Sequence, residues 1–162
     1  SLVLVFAGCL SNLFPVTPND SSPAWTGGNL YLEPANLDVI PGQNFTVDLK
    51  TTSITDLKGY SVTLSYDPAL LSLQDVTEGA FFSSEGETFF YNDIDGQKGK
   101  VLIDCAILGR DLSVSGEGTL ATLSFTCLKA GSTSITFKLA DTRDTYNKAI
   151  ITTKSNAVIK SK

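Results

Sequence analysis

The residues of this chain that could take part in catalysis are few, and their spacing does not favour an enzyme. Carboxylates are paired at Asp93/Asp95 and at Asp141/Asp144, and the chain contains no histidine. The absence of histidine excludes Ser-His-Asp and Cys-His catalysis and most zinc sites. Paired carboxylates can serve a glycosidase, but no aromatic-lined cleft or long active-site loop is predicted beside them. We therefore expect a protein that is not an enzyme.

The same carboxylates could instead bind a metal, because Ca²⁺ takes oxygen ligands from acidic loops. Both pairs lie in or beside predicted turns, where Asp also stabilises the local backbone through hydrogen bonds. Neither spacing matches the EF-hand loop. We expect no cofactor, and calcium is the alternative that these turns leave open.

Charge and hydropathy exclude two classes of partner. The formal net charge is −5 and no basic cluster occurs, so neither nucleic acid nor an anionic membrane surface is an expected partner. No stretch reaches the roughly 18 apolar residues that a membrane-spanning helix requires. Only 18% of the residues are charged, while Ser, Thr, Asn and Gly are plentiful, a balance typical of an extracellular β protein.

The elements that must position these residues are predicted to be short β-strands. In five segments apolar and polar residues alternate, which is the pattern of a strand with one face in a core and the other in solvent. Turn signals such as Pro41-Gly42 separate the segments, and the best helical candidate is only residues 67–71. The sequence therefore predicts an all-β fold, an antiparallel β-sandwich of about nine strands. The segments are FTVDLK (45–50), YSVTLSY (60–66), VLIDCAI (101–107), ATLSFTC (121–127) and SITFKL (134–139), the last with Ile135, Phe137 and Leu139 on its apolar face.

Composition divides the chain into three parts. Residues 1–9, SLVLVFAGC, are almost wholly apolar, residues 10–28 are rich in Pro, Ser and Asn, and the alternating pattern occupies residues 29–162. Proline blocks helix formation and small polar residues offer little apolar surface to bury, so residues 10–28 are predicted to be a linker. We expect an apolar N-terminal strand or signal remnant, a linker and one β-sandwich domain.

The order of the strands and two motifs resemble the cohesin domain, the jelly-roll module of cellulosome scaffoldins and many other microbial surface proteins. The first motif is G-x-x-x-x-L-x-Y-D-P-x-x-L at residues 59–71, and the second is G-T-L-A-x-L-x-F at residues 118–125. A turn at Ala130-Gly131 also fits, and the resemblance runs from about Leu30 to Ile159. It implies a non-catalytic module that binds another protein.

In cohesins the partner, a calcium-binding dockerin, lies on one sheet. The resemblance places that sheet on segments 58–66, 87–92, 100–107 and 134–139. An ordinary solvated sheet face is the alternative, because few of the outward residues resemble an obvious binding hot spot. The outward residues implied for the partner are Ser61, Thr63, Phe89, Tyr91 and Asp104, together with Ala106.

The resemblance also assigns Cys105 and Cys127 to inward positions on opposite sheets. None of the three cysteines belongs to a C-x-x-C pair, so metal ribbons and thioredoxin-like motifs are excluded. A disulfide between the two sheets is compatible with secretion. Two buried free thiols, acting as small apolar side chains, are the alternative.

The apolar N-terminal segment admits two functions. If it belongs to the mature protein, it forms a strand that is apolar on both faces and suited to insertion into the sandwich of another copy. Repeated head to tail, that contact builds a filament. Alternatively, residues 5–9 resemble a lipobox, and Cys9 carries the lipid of a tethered protein. Folding back onto its own domain is a third arrangement. The predicted donor strand consists of Leu2, Val3, Leu4, Val5 and Phe6.

These patterns together predict an extracellular protein at the cell surface. Two sequons, at Asn19 and Asn44, are candidate glycosylation sites in such a protein. We predict a non-enzymatic structural subunit of a surface filament or pilus, assembled from copies of itself by donor-strand complementation. The alternative is a lipid-anchored cohesin-type module that binds dockerin-bearing or carbohydrate-active partners.

Overall fold

The computed structural model describes residues 26–162, and this part of the chain is almost entirely β-structure. A single helical turn, α1 (Ala80–Ser83), follows the fifth strand. The strands are β1 (Thr26–Glu33), β2 (Asn36–Val39), β3 (Asn44–Leu57), β4 (Gly59–Ser65), β5 (Leu71–Glu78), β6 (Thr88–Asp95), β7 (Lys100–Ile107), β8 (Val114–Cys127), β9 (Gly131–Arg143), β10 (Ile151–Ser155) and β11 (Ala157–Ser161).

The strands form two sheets that pack face to face. The five-stranded sheet has the order β10-β1-β3-β8-β5, and the six-stranded sheet has the order β2-β11-β9-β4-β7-β6. Most neighbours are antiparallel, but β1 pairs with β10 and β2 pairs with β11 in parallel. The last two strands therefore lie beside the first two, one pair in each sheet.

The core lies between the sheets and is built from the apolar phase of each alternating segment. Leu30 in the five-stranded sheet and Leu64 in the six-stranded sheet are both 0% exposed. Phe125 connects the layers, because its ring stacks on Phe45 at 5.6 Å and meets Tyr66 edge-on at 5.2 Å. Each fully buried side chain of this size stabilises the fold by about 1.5–3 kcal/mol. The predicted β-sandwich is confirmed.

The strand inventory differs from the prediction at its edges. The structure has eleven strands rather than about nine, and two of its pairings are parallel. The additional strands include β10, which is five residues long, too short for an alternating pattern to identify. β1 begins at Thr26, within the predicted linker 10–28, because it pairs with β10 from that residue onward.

The helical candidate at residues 67–71 is a turn. The Asp67 carbonyl oxygen accepts hydrogen bonds from the Leu70 and Leu71 amides, and its side chain accepts one from the Ala69 amide at 2.8 Å. β5 then begins at Leu71. The local hydrogen bonds of Asp67 thus close one turn, and sheet pairing takes over before a helix can continue.

The predicted disulfide between Cys105 and Cys127 is not formed, because both residues are buried free thiols. Cys105 pairs with Tyr60 across β7 and β4, and the Tyr60 hydroxyl donates to the Leu120 carbonyl oxygen at 3.1 Å. Cys105 therefore lies over the middle of β8. Cys127 ends that strand about 20 Å further along, at roughly 3.3 Å per residue. A disulfide requires Cα atoms within about 7 Å.

Candidate partner-binding face

The six residues predicted to face a partner lie together on the outer face of the six-stranded sheet. Ser61 and Thr63 are in β4, Phe89 and Tyr91 are in β6, and Asp104 and Ala106 are in β7. These strands are neighbours, and β9 flanks β4 on the other side. We call the outer surface of β6, β7, β4 and β9 the aromatic face.

Strand register arranges the aromatic face in rows that cross all four strands. Directly opposed side chains in such rows are about 4.5–5.5 Å apart at Cβ, close enough to interact. From β6 to β9 the rows are Phe89–Ala106–Gly59–Arg143, Tyr91–Asp104–Ser61–Asp141 and Asp93–Leu102–Thr63–Leu139.

Large apolar side chains on this face are exposed. Phe89 is 57% exposed, Tyr91 is 47% exposed and Leu139 is 54% exposed. Aromatic side chains supply most of the binding energy of many protein interfaces because each buries a large apolar area. Each of the three rows therefore carries one large exposed side chain for apolar contact, and the centre of the middle row, at Asp104 and Ser61, is polar.

Leu139 is the exposed apolar residue of this face whose direction the sequence predicts wrongly. The alternation in SITFKL puts Leu139 on the same side as Ile135, toward the core. Instead, the register between β4 and β9 shifts between Phe137 and Leu139, so one extra residue reverses the phase. Such a bulge turns the following side chain to the other face of the sheet.

A cavity of about 500 Å³ opens on the first two rows. Gly59 and Ala106 lie between Phe89 and Arg143, and their small size leaves the space that forms the cavity. A Cβ atom on Gly59 would be 3.2 Å from the Cys105 carbonyl oxygen, closer than ordinary van der Waals contact. The volume lies within the range of ligand and side-chain pockets, about 300–1,000 Å³.

The two basic residues beside the cavity are already engaged. Arg143 Nε lies 2.9 Å from Asp141 Oδ1, and Arg143 Nη2 donates to Asp141 Oδ2 at 3.0 Å. Lys58 Nζ donates to the carbonyl oxygens of Gly109 and Leu112. Neither cation is directed at the middle of the aromatic face.

Asp104, in the centre of the middle row, lacks a partner within the described chain. Its Oδ1 atom is buried and accepts no hydrogen bond, and none of the ion pairs among residues 26–162 includes it. Burying an acceptor without a donor costs about 1–3 kcal/mol, and more for a charged group. Asp104 lines the cavity, so a molecule bound there could supply what the chain does not.

The turn between β9 and β10 forms one wall of the cavity. Asp144 Oδ1 accepts the Tyr146 amide at 2.8 Å within the turn, and Tyr146 itself is 81% exposed. Asp56, from the bulged end of β3, accepts the Thr145 hydroxyl at 2.8 Å and its amide at 3.3 Å. Hydrogen bonds from Ser113 and Thr145 lower the pKa of Asp56, so its carboxylate stays charged and holds the turn.

The thiol beneath the cavity is not a nucleophile. Cys105 Sγ lies 3.7 Å from Glu78 Oε1. Burial, together with the negative charge of Glu78, raises the pKa of Cys105 to about 12. Because the thiolate is the reactive form, this thiol is inert at neutral pH.

The other predicted sites lie away from this face or outside the described residues. Asn44 is exposed at the start of β3, where its side-chain oxygen accepts the Thr126 hydroxyl at 2.7 Å, and its glycosylation stays a prediction. Asn19, Cys9 and the donor strand of residues 2–6 lie outside the described residues.

Two further expectations concern metals and membranes. Asp93 and Asp95 lie in β6 rather than in a loop, and Asp141 is bound to Arg143. Within residues 26–162 no group of three or more His, Cys, Asp or Glu side chains is placed to hold a metal ion. The same residues contain no helix long and apolar enough to cross a membrane.

The two-sheet topology defines the class of protein, a β-sandwich of the cohesin type. The family model described as the cohesin domain matches residues 33–160, and the chain belongs to that family. The resemblance found in residues 59–71 and 118–125 is confirmed. A search of curated proteins found no match.

Solved cohesin structures share the fold at low sequence identity. A non-cellulosomal cohesin from the hyperthermophilic archaeon Archaeoglobus fulgidus has a TM-score of 0.71 at 16% identity, covering 83% of this chain and 91% of that one. A type II cohesin domain from the cellulosome of Acetivibrio cellulolyticus gives 0.72 at 20% identity, covering 82% and 94%. The type I Coh-OlpC–Doc435 cohesin–dockerin complex from Clostridium thermocellum gives 0.74 at 13% identity, covering 88% and 98%.

Proposed function

We propose that this chain is a non-enzymatic, extracellular cohesin module that binds a dockerin through the aromatic face. The observation that carries the proposal is the exposure of Phe89, Tyr91 and Leu139 on the sheet face that also carries the cavity, in a cohesin-family domain. Apolar anchors around a polar centre are the arrangement of binding hot spots. In support, two similar structures contain a cohesin with a dockerin, Coh-OlpC–Doc435 and Coh-OlpA–Doc918 from Clostridium thermocellum.

The filament hypothesis is less well supported than dockerin binding. Its donor strand, residues 2–6, lies outside the described residues, and the family match favours the alternative. The sandwich of residues 26–162 also buries Leu30, Leu49 and Leu123 completely with its own strands. A domain whose core is already covered does not need a strand from another copy to complete it.

The proposal is tested by calorimetry with purified dockerins in buffer containing calcium. The panel comprises the dockerin modules encoded by the source organism together with Doc435 of Clostridium thermocellum. At least one is expected to bind with a Kd below about 1 μM. Ala106→Trp fills the cavity between Phe89 and Gly59 and should weaken that binding more than about 100-fold through steric exclusion.

The matched control introduces the same side chain on the opposite sheet. Ser124 is half-buried on the outer face of β8, directly opposite Thr46, and Ser124→Trp should leave the dockerin Kd unchanged. The proposal is wrong if no dockerin in the panel binds, or if Ser124→Trp abolishes binding while Ala106→Trp does not.

A further inference from the structure

We infer that the partner presents a basic side chain, Lys or Arg, to Asp104 at the centre of the aromatic face. This inference rests on the proposed function, because it specifies the chemistry of the partner at the same site. It adds a specificity-determining residue, Asp104, to a surface otherwise described by its apolar anchors.

The first argument is the unsatisfied carboxylate. Asp104 Oδ1 is buried without a donor, and the residues directly opposite it, Ser61 and Tyr91, form no hydrogen bond with it. A carboxylate accepts charge-assisted hydrogen bonds best from Lys and Arg. The Asp104 side chain as a whole is half-buried and lines the cavity, so a cation brought by the partner reaches the carboxylate from the cavity and compensates its negative charge.

The second argument is that the nearby cations of the chain are engaged elsewhere. Arg143 is bound to Asp141, and Lys58 is bound to backbone carbonyl oxygens. Lys100 is at the far end of β7, paired with Asp95 in strand register. The positive charge that complements Asp104 must therefore come from outside this group of residues.

The third argument is the shape of the surroundings. Phe89 and Tyr91 stand along β6 next to Asp104, and the cavity extends from Asp104 toward Ala106 and Gly59. Aromatic rings beside a carboxylate pack against the aliphatic stem of Lys or Arg and attract its cationic head. Asp93, exposed in the third row, adds negative charge to the same face. Apolar walls and a negative centre thus match a long basic side chain.

The test compares neutralising substitutions on the two sheets, measured against the dockerin found to bind. Asp104→Asn keeps the size of the side chain and removes its charge, and the dockerin Kd should rise about 30-fold or more. Asp75→Asn, on the exposed face of β5 in the other sheet, is the charge-matched control and should change Kd less than 2-fold. Asp104→Asn should also melt at or above the wild-type Tm, because it removes the negative charge from a side chain whose buried Oδ1 atom has no donor. Asp104→Ser is a second neutral variant should Asn fold poorly.

The partner side of the contact is found by replacing each Lys and Arg of that dockerin with Gln in turn. One replacement should match the loss caused by Asp104→Asn, and combining the two should cause no further loss. The inference is overturned if Asp104→Asn shifts Kd less than 3-fold while Ala106→Trp still abolishes binding, which leaves the docking face intact. If Ala106→Trp has no effect, the proposed function fails and this inference fails with it.

Discussion

The outer faces of the two sheets differ in whether the polar groups at their centres are paired within the chain. On the five-stranded sheet, the Thr122 hydroxyl donates to Asp48 and the Thr126 hydroxyl donates to Asn44, each at 2.7 Å across β3 and β8. On the six-stranded sheet, Asp104 at the centre of the aromatic face accepts no hydrogen bond at its buried Oδ1 atom.

The two outer faces also differ in how many large apolar side chains they expose. The aromatic face exposes Phe89 and Tyr91 on β6 and Leu139 on β9, whereas the exposed large apolar residue of the five-stranded sheet is Ile151 on its edge strand β10. Polar groups that are paired within the chain contribute to folding, and groups left unpaired are available for binding. The five-stranded sheet thus pairs its outward polar groups within the chain, and the six-stranded sheet presents the face to which we assign recognition under the proposed function.

The largest expected effect is on binding, from removing the two aromatic anchors. Phe89→Ala combined with Tyr91→Ala should weaken dockerin binding at least 100-fold, because each hot-spot aromatic contributes about 2 kcal/mol or more. Calorimetry measures the change in Kd. The matched control is Tyr31→Ala on β1, a half-buried tyrosine of the five-stranded sheet, which should shift Kd less than 2-fold. An equal loss for both variants would abolish the distinction between the faces.

A smaller effect is expected on stability, from the same substitution made on each face. Thr122→Val removes the hydroxyl that donates to Asp48 and should lower the free energy of unfolding by about 1 kcal/mol. Thr63→Val on the aromatic face should change it by less than about 0.5 kcal/mol, because Thr63 makes no side-chain hydrogen bond within residues 26–162. Urea denaturation measures both. Equal losses would show that the two faces stabilise the fold alike.

The smallest effect concerns the turn that walls the cavity. Asp56→Asn weakens the contact with Thr145 and should lower Tm by about 1–3 °C at pH 7. Hydrogen bonds lower the pKa of Asp56 in the folded state, so its contribution is complete above the ordinary Asp pKa of about 3.9 and is lost as the pH falls toward the lowered value.

The pH dependence gives this prediction its control. The Tm difference between wild type and Asp56→Asn should shrink as the pH falls below about 3.9, whereas Asp38→Asn, an exposed position in β2, should leave Tm within about 1 °C throughout. A Tm difference that persists unchanged into acid would mean that the charge of Asp56 does not hold the turn.

The sequence predicts the fold well wherever alternation is long. All five alternating segments are strands of the sandwich, because burial of one phase fixes both the strand and the side that faces the core. The short edge strand β10 was not predicted, since five residues carry too little pattern. Alternation also predicts only the face toward which a side chain points. It could not show that Cys105 and Cys127 are far apart along the strand direction.

The candidate site is less predictable, because most of it depends on contacts between distant residues. The resemblance located Phe89, Tyr91 and Asp104 on one face. One wall of the cavity depends on the hydrogen bond between Asp56, in β3 of the five-stranded sheet, and Thr145, in the turn between β9 and β10. Nothing in the local sequence pattern around either residue indicates that contact. The outward turn of Leu139 depends on a bulge that no residue type in SITFKL signals.

The most direct test of the account is a footprint of the bound partner on both faces, by amide chemical-shift mapping of the labelled protein with the binding dockerin. The account predicts that the largest shifts fall on β4, β6, β7 and the turn after β9, with Asp104 near their centre and β3 and β8 unaffected. Shifts centred on β3 and β8 would contradict it.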